Sequence, residues 1–344
     1  MRKINRIRRH LIKELNKVNG LLELDKEYAE MVLFKETSDG KVFALPMESL
    51  EKIDFKGISF ANVRLSGIDF SKLHNVTIDP QEVYDKNLSR CIFADVQFVG
   101  SFYDVDITYS NFAYTRAYIN PQVLRNKKLD YCVLSGAVIE NNFKDVSIRG
   151  ADFTGTYGIK LNPQDVKDKD LMGTKLEGVF ICGPFDNCMI CETDFTGSMN
   201  AVIDVDKIYN KNLYKTKLSD TIVIGSFDDA LIRGADFTGV YSDITINPQT
   251  IRSKALENTI LNSVRLVGSF KDVSIEGTDF TGSYGALIDP QEIYGKKMKN
   301  CIFNNVRFIG LLDGVDVTGT DFGDAIGSHN VDKRKVLSNI KRVS

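Results

Sequence analysis

The chain has 344 residues, 43% of them hydrophobic and 26% charged, with a net charge of −2. That is an ordinary soluble composition, and no apolar run approaches the ~18 residues of a membrane-crossing helix, so no transmembrane segment is expected. The charged N-terminal stretch also lacks the apolar core of a secretory signal. Charge is unevenly placed: residues 1–20 carry net +6 and residues 331–344 net +4, which leaves −12 on the residues between, an acidic middle with basic ends.

Taken in chain order, Ile4, Ile7, Leu11, Leu15 and Val18 recur at helical spacing and predict a helix over 2–18. Arg2, Lys3, Arg6, Arg8, Arg9, Lys13 and Lys17 cover its other faces, and Gly20 is a natural stop. Two readings stay open. The helix is a cap whose apolar stripe closes the first turn of the array described below, or Arg6, Arg8 and Arg9 bind nucleic acid, an anionic surface or an acidic partner. Next, "MVLFKETSDGKVFALP" at 31–46 predicts a hairpin about Ser38-Asp39-Gly40. Residues 1–50 thus read as an N-terminal cap, leading to Phe55, Phe60, Leu65 and Phe70.

From there the chain repeats. Phenylalanines fall at 70, 112, 153, 195, 237, 280 and 322, a period of 41 to 43 residues, and a fixed period signals an array. "GADFTG" at 150–155 recurs in full at 234–239 and in variants at 194–197, 277–282 and 319–323. A shorter beat of five lies inside the long one. Leu256, Leu261, Leu266, Phe270, Ile275 and Phe280 mark it in one copy, and Ile148, Ile190 and Ile232 fill the Ile275 slot in others. Small residues such as Ser110, Ala151 and Thr193 stand two places before the phenylalanines. A large and a small residue two apart share one side of an extended chain. Phe112, Phe153, Phe195, Phe237, Phe280 and Phe322, with Ile148, Ile190, Ile232 and Ile275, are therefore the expected core.

This pattern resembles the pentapeptide-repeat family, whose loose consensus is Ala-Asp/Asn-Leu/Phe-x-x; "ADFTG" at 151–155 and at 235–239 matches in full. The resemblance implies an all-β solenoid over 51–330, a right-handed quadrilateral β-helix with short inserted helices. Each unit of about 42 residues would hold two coils and a small insertion, giving roughly thirteen coils. The insertion is marked by Asp/Asn-Pro-Gln at 79–81, 120–122, 162–164, 247–249 and 289–291, with Asp204-Val205-Asp206 in the remaining copy. Asp or Asn followed by Pro predicts an N-cap and first turn, hence a one- or two-turn helix such as 290–296. Lys86, Lys127, Lys169, Lys211, Lys254 and Lys296 follow in register and are placed at the helix ends, where the dipole favours a cation. Residues 331–344 resemble a worn inserted helix and are expected to cap the other end.

Little in the chain suggests chemistry. Cys91, Cys132 and Cys301 share a small inward slot with threonines of other copies and read as packing residues. Cys188-x-x-Cys191 has no second pair or nearby histidine, so no metal or other cofactor is expected. The three histidines, His10, His74 and His329, fall in no repeated slot. Asp152, Asp194, Asp236 and Asp279 form one column of carboxylates and Asp104, Asp145, Asp229 and Asp272 another. Copies on alternate coils lie ~10 Å apart, too far for a paired acid and base. Their expected role is turn bonding or surface charge that attracts basic partners.

These readings favour a non-catalytic protein-binding or scaffold protein, cytoplasmic because its thiols are unpaired. The partner's identity is not written in the sequence, and a homodimer stays open. The alternative comes from the resemblance: some pentapeptide-repeat proteins are acidic, DNA-like rods that occupy a type II topoisomerase such as gyrase and protect it from quinolones. The −12 middle section suits that reading, while the insertions and basic ends do not.

Overall fold

The structure, a computed structural model, describes residues 2–140 and 142–327. They fall in two compact units, one drawn from Met1–Ile159 and Asp165–Asp168, the other from Lys160–Gln164 and Lys169–Ser344. The expected C-terminal cap over 331–344 and His329 lie outside the described residues.

The first unit opens with α1 (Arg2–Leu15), which starts where predicted and ends three residues short of the predicted end. Leu11 and Leu15 of its apolar stripe are buried. After β1 (Leu22–Glu23) comes α2 (Lys26–Leu33), capped by the Asp25 carboxylate, which accepts from the Glu27 and Tyr28 amides. The predicted hairpin is therefore shorter than 31–46: Met31–Leu33 close a helix, and only β2 (Phe34–Thr37) and β3 (Gly40–Phe43) pair, antiparallel, from Phe34↔Phe43 to Thr37↔Gly40. A short α3 (Met47–Leu50) then delivers the chain to β4 (Ile53–Asp54), which pairs in parallel with β1. The N-terminal segment thus adds a strand to the first coil, leaving less unpaired edge there.

Beyond β4 both units are parallel β-solenoid, about 12 turns in all rather than thirteen. The first unit contains β5 (Thr77–Ile78) on β6 (Gln97–Phe98) and β7 (Tyr118–Ile119) on β8 (Val138–Ile139). The second contains β9 (Lys160–Leu161) on β10 (Phe180–Ile181), β11 (Ala201–Asp204) on β12 (Thr221–Ile224), β13 (Ile244–Ile246) on β14 (Val264–Leu266), and β15 (Leu287–Ile288) on β16 (Arg307–Phe308). Single parallel bridges tie the other sides, as in Ile92↔Asn111↔Val133↔Asp152. Successive steps alternate between a short coil and a longer one that holds the insertion.

The core follows the five-residue beat. Phe112, Phe153, Phe195, Phe237 and Phe280 and the four isoleucines are buried. Phe322 is the exception: it is half-buried in the last described coil, stacked on Phe303 at 5.7 Å between ring centres. Rings also stack where both coils of a unit carry Phe, as in Phe280–Phe303 at 5.3 Å, adding ~0.5–1.5 kcal/mol beyond their burial. The small inward residues carry donors. Thr193 and Thr278 hydroxyls reach the buried Leu171 and Leu256 carbonyls at 2.7 and 2.6 Å. The Cys91, Cys132 and Cys301 thiols reach Leu65, Ile107 and Ile275 carbonyls at 2.9–3.0 Å. Burial pushes all three thiols up to about 12.

The insertions hold short helices of a single three-residue turn, such as Tyr294–Lys296, and in one copy Pro121–Val123, capped by Asn120, forms a second such turn. The register lysines end these turns, as expected, but with positive φ, from 44° to 52°, so each helix closes in a tight left-handed turn. The residue before each is Asp85, Asn126, Asp168, Asn210, Ser253 or Gly295. These are mostly the types that tolerate that conformation at least cost.

Candidate functional site

The carboxylate columns are turn hardware first. Asp152, Asp194, Asp236 and Asp279 each accept the backbone N–H two residues on, at 2.8–3.0 Å. Their neighbours across the coils are not carboxylates. In the second unit the column reads Lys175, Asp194, Lys217, Asp236, Ile260, Asp279, Ile302, Asp321. Lys217 Nζ sits 2.8 Å from Asp194. Burial works to raise the Asp194 carboxyl, but the Lys217 amine and the Thr196 contacts overcome it and hold the group below its ordinary range.

Asp104, Asp145, Asp229 and Asp272 are exposed, with φ of 55° to 58°. They occupy a corner whose amides bond the next coil, as Asp229 N to Thr250 O at 2.8 Å. Arg252 reaches Asp229 at 3.2 Å and the Asn210 carbonyl at 2.8 Å, lacing three successive coils. Neither column gathers its members into a shared site. Among the N-terminal arginines, Arg6 and Arg9 are exposed. Arg8 is used internally: its guanidinium donates to the Val32, Met31 and Phe34 carbonyls at 3.0, 3.1 and 2.6 Å, closing the C-terminal end of α2. Such orphan carbonyls need a donor.

The Pro-Gln glutamines were not singled out in the sequence. Gln249 Nε2 donates to Ser269 O at 2.9 Å and Lys271 O at 2.7 Å, 20 and 22 residues on. Gln81, Gln122, Gln164 and Gln291 make the same pair of bonds. The signal was their recurrence in register. The odd copy has Asp206, whose carboxylate cannot donate to a carbonyl. There Lys211 Nζ takes over, 2.7 Å from Asp206 and 2.9 and 3.4 Å from the Asp228 and Ser226 carbonyls, again 22 and 20 residues past 206. Glycine guards this corner. Gly268 has φ +91°, and a Cβ there would lie 2.6 Å from Asn247 Oδ1.

The outward side of the strand pairs in the second unit is different in character. Across the ladder run Lys160, Phe180 and Met199, then Val202 and Ile222, then Thr245, Arg265 and Tyr284, then Leu287, Arg307 and Ile326. Phe180, Met199, Val202, Ile222 and Ile224 remain 38–48% exposed, and the outward pair Tyr118 and Val138 of the first unit is exposed too. Arg265 and Arg307 are exposed, with no carboxylate within 4 Å among the described residues. The sequence signal was an apolar residue at the outward beat of Ala201-Val202-Ile203 and Ile222-Val223-Ile224.

Catalytic furniture is sparse. Among the described residues no group of three or more His, Cys, Asp or Glu side chains is placed to hold a metal ion. Cys188 is buried, its thiol pushed up to about 12 by that burial, while Cys182 is exposed and Cys191 half-buried. No helix among the described residues is long and apolar enough to cross a membrane.

These features define a parallel β-solenoid with a helical and hairpin cap. No family model and no curated protein matches the chain. Among solved structures, one of trypsin-treated QnrB1, a plasmid-mediated fluoroquinolone resistance protein, is 12% identical over 84% of this chain and 93% of its own, with a TM-score of 0.13.

Proposed function

We propose that this is a pentapeptide-repeat protein that acts without catalysis, as a cytoplasmic binding or scaffold protein, and that it contacts its partner through the outward strand face of the second unit. The observation that carries the reading is the row Phe180, Met199, Val202, Ile222 and Ile224 beside unpaired Arg265 and Arg307. Contiguous exposed apolar residues are uncommon on surfaces that meet only water. Arg, Met and aromatic residues are the types enriched in protein interfaces. The partner surface this face fits offers apolar anchors with carboxylates for the two guanidiniums. A photo-crosslinking residue at position 222 should give a defined adduct in the native cytoplasm, where the same residue at the exposed Tyr157 gives none. Val202→Asp/Ile222→Asp should abolish that interaction with melting unchanged. Retention of every interaction by this variant would end the reading.

A second reading, a DNA-like competitor that binds a type II topoisomerase, has one observation in its favour, the −12 balance of residues 21–330. The Lys and Ile neighbours of the Asp column support the first reading over it. DNA-gyrase supercoiling with and without a quinolone separates the two: inhibition or drug protection at micromolar protein supports the second, and no effect supports the first.

A further inference from the structure

We infer that α1 is a docking row for the phosphate backbone of a nucleic acid. Arg2, Arg6, Arg9 and Lys13 stand at i, i+4, i+7 and i+11, so they form one line along the helix, and Arg2, Arg6 and Arg9 are exposed along it, with Lys13 exposed at its end. Lys3, His10 and Lys17 flank the line and are exposed too. The only acid of α1, Glu14, is taken by Lys17 at 2.8 Å. No ion pair within 4 Å engages the four row residues among the described residues. On the packed elements, Glu27 and Glu30 of α2 and Glu36 of β2 line a groove with Ile4, Asn5 and Arg8, none of which belongs to the row. The row therefore presents four cations with no ion-pair partner within 4 Å among the described residues.

The opposite face decides between a membrane and a nucleic acid. Surface helices bind lipid by burying an apolar face among the headgroups. In α1 much of that face is committed: Leu11 and Leu15 are buried in the fold, Ile4, Ile7 and Ile12 are half-buried, and Arg8 ties the helix to the end of α2. What remains fully exposed on the row is charge, with no fully exposed apolar side chain in α1 to enter a headgroup layer. Three of the four row residues are arginines, whose forked donors fit phosphate oxygens. From Arg2 to Lys13 the row spans ~16 Å at 1.5 Å per residue, the reach of four to five phosphates of one strand at ~3.4 Å each. Phosphate contacts position a protein without reading bases, so the binding has no sequence preference.

The test is fluorescence anisotropy of a labelled random-sequence DNA duplex titrated with the full chain over a range of NaCl. The log affinity should fall with log salt with a slope of about −3 to −4, ~0.9 per phosphate contacted. Arg6→Gln/Arg9→Gln should bring the slope down by about 2 with unchanged melting; Arg2→Gln/Lys13→Gln repeats the test if the first variant is unstable. Arg8→Gln should lower the melting temperature and keep the slope. Absence of duplex binding at low salt, or a slope that neither double variant changes, overturns the inference. So does binding to phosphatidylserine vesicles without binding to DNA.

Discussion

At the scale of single residues, neighbouring positions have opposite jobs. Phe195 is fully buried among residues of adjoining coils, whereas Asp194 beside it is only half-buried and holds a turn amide and Lys217. Phe195→Ala should cost ~3–5 kcal/mol in equilibrium urea unfolding, since it empties a packed slot that cannot collapse freely. Asp194→Asn keeps the Asx acceptor and loses only a partly exposed ion pair, so its cost should stay within ~1 kcal/mol. Equal costs would show that the wrong side of the strand has been placed inward. This alternation was legible in the sequence, because a period of two inside a beat of five leaves a large and a small residue on one side. The ends of the pattern were not. Phe322 fits the beat as well as Phe280 does, yet burial depends on what stacks above and below, which no single slot encodes.

At the scale of the element, the insertion was found by its spacing, and its helix is shorter than its chemistry suggested. Asp or Asn before Pro is an N-cap signal, and the cap bond forms, as Asn247 Oδ1 accepts the Gln249 amide at 3.0 Å. The helix goes no further than a three-residue turn, because two consecutive residues such as Ser253 and Lys254 enter the left-handed region and turn the chain back at once. The glutamine then does what a longer helix would have done, fixing the insertion to the next coil. Gln249→Ala should cost ~1–3 kcal/mol, the loss of two bonds to carbonyls left without this donor. In the copy built on Asp206, Lys211→Met should cost more, because a carboxylate is left facing two carbonyl oxygens. Asp206→Gln in the Lys211→Met background should restore most of the lost stability. Failure of that rescue in thermal melts would mean that the amide and the amine are not equivalent. The N-terminal cap was misread in a similar way: Met31–Leu33 look like strand residues by type, but the Asp25 cap and the Arg8 closure hold them in α2.

At the scale of the whole molecule, composition and strand register draw attention to different faces. The chain reads as acidic with basic ends, which draws attention to the aspartates, but lysines and isoleucines separate those aspartates from one another on their own face. The strand-pair face of the second unit carries exposed apolar residues, with Arg265 between Thr245 and Tyr284 and Arg307 between Leu287 and Ile326. Its paired members lie about 20 residues apart in the chain, so sequence inspection saw each as an ordinary exposed side chain. Only the parallel register sets them side by side.

The glutamine bonds of the insertions, and the Lys211 bonds that replace them in one copy, have one more consequence, for how such a chain changes length. Every copy carries its own turn, its own glutamine or lysine and the carbonyls that receive it, so a double coil is a self-contained module. Leu213 and Leu256 hold the same slot, and removing 213–255 joins the chain in phase. That deletion should give a shorter protein that still melts cooperatively and stays in solution. Removal of 213–234 alone fuses unlike corners, leaves Lys211 without the Asp228 carbonyl, and should yield an insoluble product. Gene lengths among such arrays are then expected to step by whole modules, as unequal crossing-over between copies would produce, and not to drift residue by residue.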